Sequence, residues 1–435
     1  MKITFIKPGM GEKKSYDAME PLVFAILKAL TPQEHEVILY DDRLEEIPYD
    51  ETTNLVAITV ETFTAKRAYA IADQFRKRNI PVIMGGFHPT MVPKETIQYC
   101  DSIVLQDAEN LWPTILDDVV NHRLQKIYKN ETLPPLKNII PDRSIFKGKK
   151  YRNLHLIQFS RGCKFACDFC SISSFYGKSL RFRPVHDVVI EIKNLKYNNL
   201  LFVDDNIFSN RELMKELLLA LIPLKKRWIC QISIDVAHDE EILSLMKESG
   251  CLACIIGLES LREQNLIQMK KKWNHQIEYS KAIKHINNYG IMVLGTFVLG
   301  YDFDDETSFA EILTFSIKNK LFLAHFNPLS PTPGTPLFDR LKSENRLIND
   351  PWWLNNNYKY GKAMFKPAKL SSEQFEQACF ENRKQFNSLS SIMFRLFNKA
   401  HLKSFTNFYF FLGANFITRK AIKFKQGVAL GSQEK

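Results

Sequence analysis

Short β-branched runs followed by amphipathic helices recur through most of this chain, and that rhythm restricts the fold more than any single residue does. KITFIKP, HEVILYD, NLVAITV, PVIMGG and SIVLQD each have the length and content of a buried strand. Among them lie a helix near Pro21 to Leu30 and the amphipathic AKRAYAIADQFRKRN. Strands alternating with helices predict an α/β fold with a parallel, doubly wound, Rossmann-like sheet, whose ligands lie beyond the strand carboxyl ends. The Pro-bearing TLPPLKNIIPDRSIFKGKKY interrupts the rhythm and reads as a linker. A second series follows, HLIQFSR, NLLFVDD, WICQISID, CIIGLES, VLGTFVLG and LAHFNPL, and predicts a partial (β/α)6 barrel of the TIM type, with its chemistry at the strand carboxyl ends. The expected layout is a Rossmann-like domain over 1–135, a linker over 136–152, the barrel over 153–345 and a mainly helical basic and aromatic region over 346–435.

The opening MKITFIKPGM reads as a buried strand and lacks the features of an export signal, and no apolar run reaches the ~20 residues that cross a bilayer. The expected compartment is the cytoplasm. There the eight cysteines are reduced thiols, so a cluster of them points to metal or catalysis rather than to disulfides. Cys163, Cys167 and Cys170 form such a cluster in SRGCKFACDFC, on the loop after the first strand of the second series. Structural zinc takes four ligands, usually in two pairs, and no fourth Cys or His with suitable spacing lies nearby. An iron–sulfur cube normally takes four thiolates as well, so three leave one iron open. The bland alternatives are a degenerate zinc knuckle or three core cysteines.

With Phe169 preceding the third cysteine, the motif resembles the signature of the radical S-adenosylmethionine (SAM) enzymes. The resemblance implies a [4Fe-4S] cluster on Cys163, Cys167 and Cys170, whose open iron chelates SAM by its amino and carboxylate groups. In that family an electron from the cluster cleaves the sulfonium to a 5′-deoxyadenosyl radical. The likeness extends along the second series. Either Asp204 or Asp205, ending LLFVDD, stands where the family contacts the SAM amino group, the usual Gly-Gly-Glu being absent. Glu259 in CIIGLES is placed for a ribose contact, and Gly300, ending FVLG, together with NPLSPTPGT for packing on adenine. Arg181 and Arg183 are either partners of the SAM carboxylate or of a phosphate, or a surface pair leading a helix. Cys251 and Cys254 read as core residues in preference to an auxiliary cluster or redox pair, and Cys100, Cys230 and Cys379 as isolated structural residues.

NLVAITVETFTAKRAYAIADQFRKRNIPVIMGGFHPTMVP resembles the cobalamin-binding domain that precedes the barrel in one large radical SAM class, with the domain order of the hopanoid methylases and tetrapyrrole ring-forming enzymes. Cobalamin is thus a further implied cofactor. Gly85 and Gly86 would let a ring or nucleotide tail approach the backbone, or simply form a tight turn. Thr59 is the matching hydrogen-bond candidate. His88 in GGFHP is either a ligand or a hydrogen-bonding loop residue. D-x-H-x-x-G is absent, which implies a cobalt without a protein histidine beneath it. Gln106 and Asp107 replace the family's Gly-Glu pair and leave Glu109 without an assigned role.

Net charge is +11, and from Asn382 to Gln433 there is no acidic residue against nine Lys and Arg. That stretch interleaves Phe and Tyr with the cations. It suits helices capping the barrel, a face on an anionic bilayer or, least favoured, a nucleic-acid platform. The combined expectation is a cobalamin-dependent radical SAM C-methyltransferase acting on an unactivated carbon of a small-molecule or lipid-like substrate. A flavodoxin or ferredoxin would supply electrons, and the enzyme would be cytoplasmic with peripheral contact at the inner membrane face. The alternatives are ring formation or rearrangement without methyl transfer, and an iron–sulfur redox sensor.

Overall fold

The computed structural model describes residues 1–11, 15, 18–275 and 277–431. Strands β1 (Lys2–Lys7), β2 (Glu36–Asp41), β3 (Leu55–Thr59), β4 (Val82–Gly85), β5 (Ser102–Leu105) and β6 (Ile127–Lys129) form a six-stranded sheet in the order β2-β1-β3-β4-β5-β6. Every neighbouring pair is parallel. β3 is buried along nearly its whole length because helices cover both faces, so its sequence does not alternate. Helix Ala65–Arg76 covers one face with Ala65, Ala68, Ile71, Ala72 and Phe75, a helical repeat of buried positions. Strand order reverses between β1 and β3, which opens a crevice at their carboxyl ends. β6 has no counterpart in the sequence reading, since its three residues are too few to show a period.

The second sheet holds β7 (His155–Ile157), then, after the short antiparallel pair β8 (Ser160–Arg161) and β9 (Arg181–Phe182), β10 (Asn199–Phe202), β11 (Arg227–Ile232), β12 (Cys251–Glu259), β13 (Met292–Leu299) and β14 (Leu323–Pro328). Six of these pair in parallel and in chain order from β7 to β14, so the barrel is open between those two edges. Its core runs from Ile157 and Phe202 through Trp228 and Ile256 to Phe297 and Phe326.

The segment expected as a linker is instead a packed strap. Ile145 and Phe146 are buried in the first sheet's core with Trp112. Arg143 meets Glu20 at 2.8 Å and Glu191, on the helix after β9, at 2.7 Å, tying the two units together. Its Pro and Lys content disguises these few anchors in the sequence.

Three helices, Ser372–Phe386, Leu389–Leu396 and Phe405–Lys425, close the chain. Ile392, Leu396 and Phe411 pack on Ala253, Met292 and Phe322 at the amino-terminal ends of β12 to β14, so the tail caps the barrel's lower rim. Among the described residues no helix is long and apolar enough to cross a membrane.

Candidate functional site

The cysteine loop is the excursion between β8 and β9, and two aspartates fix its base. Asp204 is wholly buried and accepts from the Phe159 and Ser160 amides and, at 2.6 Å, from the Ser160 hydroxyl. Burial pushes its carboxyl up to about 7 against those bonds. Asp205 accepts from the Gly162 amide at 2.8 Å. Gly162 adopts φ 93°, and a Cβ there would lie 2.0 Å from the Ser179 carbonyl, so only glycine lets the chain turn into the loop.

Cys167 is buried and Cys163 and Cys170 are half-buried. The three thiols feel one another's charge together with those of Asp205, Glu259 and Lys271, so these groups share one space. Burial raises all three thiols, Cys167 up to about 12, so a metal seated there has protons to displace. Soft donors spread around a common space suit a cube in which each thiolate has its own iron. Among the described residues no three His, Cys, Asp or Glu side chains close in on a single ion. Glu259 ends β12 at φ 65°, and its Oε1 lies 2.7 Å from Lys271 Nζ, which also donates to the Gly257 carbonyl at 2.9 Å.

A cavity of about 300 Å³ lies between the carboxyl ends of the two sheets. One wall is Ala57, Ile58 and Thr59 of β3 with Gly85, which ends β4, and Gly86 after it; the other is Gln158, Arg161, Tyr176 and Val203, flanking the cysteine loop. Its floor is apolar, with Phe24, Leu27 and Trp112. Gly86 has φ 106°, and a Cβ there would meet the Val60 carbonyl at 3.0 Å and Thr59 Oγ1 at 3.2 Å. The glycine keeps this wall bare, and an apolar floor under a bare backbone edge fits a planar heterocyclic tail such as that of cobalamin.

The sequence pattern of the radical SAM superfamily matches residues 157–315. Over 392 residues the chain is 31% identical to bacteriochlorophyllide d C-12(1)-methyltransferase of Chlorobaculum tepidum, covering 87% of this chain and 85% of that one. The chain belongs to the radical SAM superfamily. Bacteriochlorophyllide d C-8(2)-methyltransferase of the same organism is 29% identical over 91% of this radical SAM chain and 96% of its own length. In fold it resembles the radical SAM methyltransferase TsrM from Kitasatospora setae, solved with cobalamin and a [4Fe-4S] cluster bound. The TM-score is 0.66 and the identity 16%, with 87% of this chain and 84% of that one covered.

Several residues singled out in the radical SAM sequence take other places. Of the two aspartates, Asp205 faces the thiols, while Asp204 lies beneath them as an anchor; neighbours on an extended chain point to opposite sides. Gly300, expected against adenine, has φ 109°, and a Cβ there would lie 2.8 Å from Phe375 and 2.9 Å from Phe365, so the tail's aromatic packing demands the glycine. Arg183 donates to Glu191 at 2.6 Å and to the Gln158 carbonyl at 2.8 Å, a brace rather than a cofactor contact. Arg181 is not a surface residue either, since it meets Asp107 at 2.6 Å. His88, weighed as a ligand, does not line the cavity: it is fully buried, with Nε2 2.9 Å from the Tyr69 hydroxyl and 3.2 Å from Glu95. Phe169 stands edge-on to Tyr301, whose hydroxyl donates to Asp168 at 2.5 Å. Cys251 and Cys254 are core residues, and Cys230 is not isolated, because it pairs in register with Cys254.

The sequence reading missed Arg161, Gln158, Tyr176 and Lys271. Arg161 binds Asp107 at 2.9 Å and Glu109 at 2.5 Å, which gives both carboxylates a role in docking the two sheets. The Arg-Gly step before Cys163 was the one local signal.

Proposed function

We propose that this chain is a cobalamin-dependent C-methyltransferase acting on an unactivated carbon of an apolar small-molecule or lipid-like substrate. The observation that carries the reading is the cavity shared by the carboxyl ends of both sheets, which presents whatever rests on Thr59 and Gly86 to the cysteine loop. The two methyltransferases of C. tepidum act, by their names, on bacteriochlorophyllide d, which supports a methyl-transfer reading for this chain.

In this reading Cys163, Cys167 and Cys170 hold the cluster. Asp205 and the Glu259–Lys271 pair orient the polar groups of SAM, and Thr59, Gly85 and Gly86 admit the cobalamin tail. When bound, these cofactors supply the carbon radical and the transferable methyl group. The chain's own contribution is placement. Arg161, Asp107 and Glu109 fix the spacing of the two sheets, and the apolar cavity floor keeps water from the reacting face. A flavodoxin or ferredoxin supplies the electrons.

Anaerobic isolation is expected to give about four irons per chain together with cobalt. Reduction in the presence of SAM then releases 5′-deoxyadenosine, and Cys167→Ala abolishes that release. A product heavier by one methylene supports the proposal. Release of 5′-deoxyadenosine with an unmethylated, cyclised product selects ring formation instead, and a reducible cluster that never cleaves SAM marks a sensor.

A further inference from the structure

The last two helices leave apolar side chains in solvent after the barrel cap is complete. From helix Leu389–Leu396 and the residue after it, Leu389, Met393, Phe394 and Phe397 are exposed, Phe397 by 64%. From helix Phe405–Lys425, Phe405, Tyr409, Phe416 and Ile417 are exposed, Phe405 by 83% and Tyr409 by 67%. With Leu402 between them these are nine of the nineteen large apolar side chains exposed on the described chain, so they form a patch rather than the usual scatter. Leu389, Met393 and Phe397 recur every four residues, and Phe405, Tyr409 and Phe416 at four and seven, which gives each helix one apolar stripe. The remaining apolar positions are already committed, since Ile392, Leu396 and Phe411 are buried against the barrel.

We propose that this face docks on an anionic lipid bilayer, with both helices lying along its surface. Charge selects the occupant. No acidic residue occurs from Asn382 to Gln433, while Lys399, Lys403, Arg419 and Lys420 are exposed on or beside the two helices. Lys320 stands over the Phe394 ring at 5.2 Å, so cations reach the apolar stripe itself. Rings entering the acyl boundary and lysines meeting headgroup phosphates is the arrangement of an interfacial helix. A second copy of the same face would set cations against cations. Ile417, exposed beside the stripe, also lines a cavity of about 730 Å³ together with Met10, Met19 and Phe424 and the charged Arg43, Glu61 and Arg152.

Docking requires no cofactor, so its test is independent of the catalytic reading. The full chain is floated with vesicles of phosphatidylcholine alone and of phosphatidylcholine with about one third phosphatidylglycerol. Recovery on the anionic vesicles is expected to be about tenfold higher and to fall with added salt. Phe397→Ser with Phe405→Ser and Tyr409→Ser abolishes the recovery at an unchanged unfolding midpoint, because all three side chains are exposed. Lys399→Glu with Lys403→Glu weakens it without touching the stripe, and Ile190→Ser with Leu219→Ser, exposed elsewhere, leaves it intact. Equal or absent recovery on the two vesicle types overturns the proposal. So does a dimer in solution that the triple serine variant converts to monomer, since a second copy then covers the face.

Discussion

Arg161 donates from Nη1 to Asp107 Oδ1 across the boundary between the two sheets, at 2.9 Å. Its Nη2 meets Glu109, and Arg181 takes the other Asp107 oxygen, so two cations and two carboxylates balance inside a buried interface. Burial alone would raise the Glu109 carboxyl, and the Arg161 charge outweighs it, leaving Glu109 below its ordinary value. Arg161→Met strands Glu109 as an unpaired buried charge, which costs about 3–5 kcal/mol. Denaturant unfolding should show that loss, and adding Glu109→Gln to Arg161→Met should restore part of it. A variant as stable as the parent would exclude Arg161 as the tie between the sheets.

Gly86→Ala separates the two halves of the site. The added Cβ meets the Val60 carbonyl at 3.0 Å in a backbone region that L side chains rarely adopt, so the β4 wall must shift toward the cavity. A shifted wall that costs the bound tail roughly 1–2 kcal/mol of contact corresponds to about a tenfold loss of cobalamin affinity. Iron content should be unchanged, because the cysteine loop lies across the cavity, between β8 and β9. Equal falls in iron and cobalt would point to general unfolding.

The contrast between these two positions shows what the sequence carries. Gly86 was legible because a glycine after a β-branched run marks a turn at a strand end, and the three thiols because their spacing is itself the chemistry. β1 to β5 and the six barrel strands were legible because each is a short run rich in β-branched and other apolar residues between helical or turn segments. Arg161 and Glu109, 52 residues apart, become partners only when the two units dock, and no local pattern records that. Gly300 announces a special backbone angle, but the rings of Phe365 and Phe375 that cover it come from the distant tail. Asp204 and Asp205 are adjacent and chemically identical, and their opposite roles depend on which side of β10 the loop folds over.

Asp204 makes stability fall with pH. Its carboxyl titrates near 7 in the folded chain, against about 3.9 unfolded, so between those values the folded state holds a proton that the unfolded state has released. The stabilisation from this group is complete below about pH 4 and lost as pH rises through 7, on the order of 4 kcal/mol at most. Asp204→Asn keeps an oxygen to accept the Ser160 bonds and cannot titrate. The unfolding free energy of the parent, measured relative to the variant, should therefore decline from pH 4 to 7 and then level off. A flat difference would mean that the three donors hold Asp204 ionised throughout.

Arg395 is fully buried with its charge facing neutral partners, donating to the carbonyls of Leu321 and Phe322 at 2.9 Å, to that of Phe386 at 3.0 Å and to Asn415 Oδ1 at 2.8 Å. Burial pushes the guanidinium down to about 9, so it stays charged at neutral pH, stacked 3.8 Å from the Phe386 ring centroid. Two effects oppose each other in Arg395→Met. The cost of burying a cation disappears, but the Leu321 and Phe386 carbonyls lose a donor, at about 1–3 kcal/mol each, along with the ring contact. Phe322 keeps a bond from the Asn415 amide at 3.2 Å. The lost bonds should prevail, loosening the tail from β14 and lowering stability by about 2–5 kcal/mol. Proteolysis should then open the 387–404 region first while the cysteine loop still binds iron. Uniform cleavage across the chain would mean that the cap and the barrel unfold as one unit.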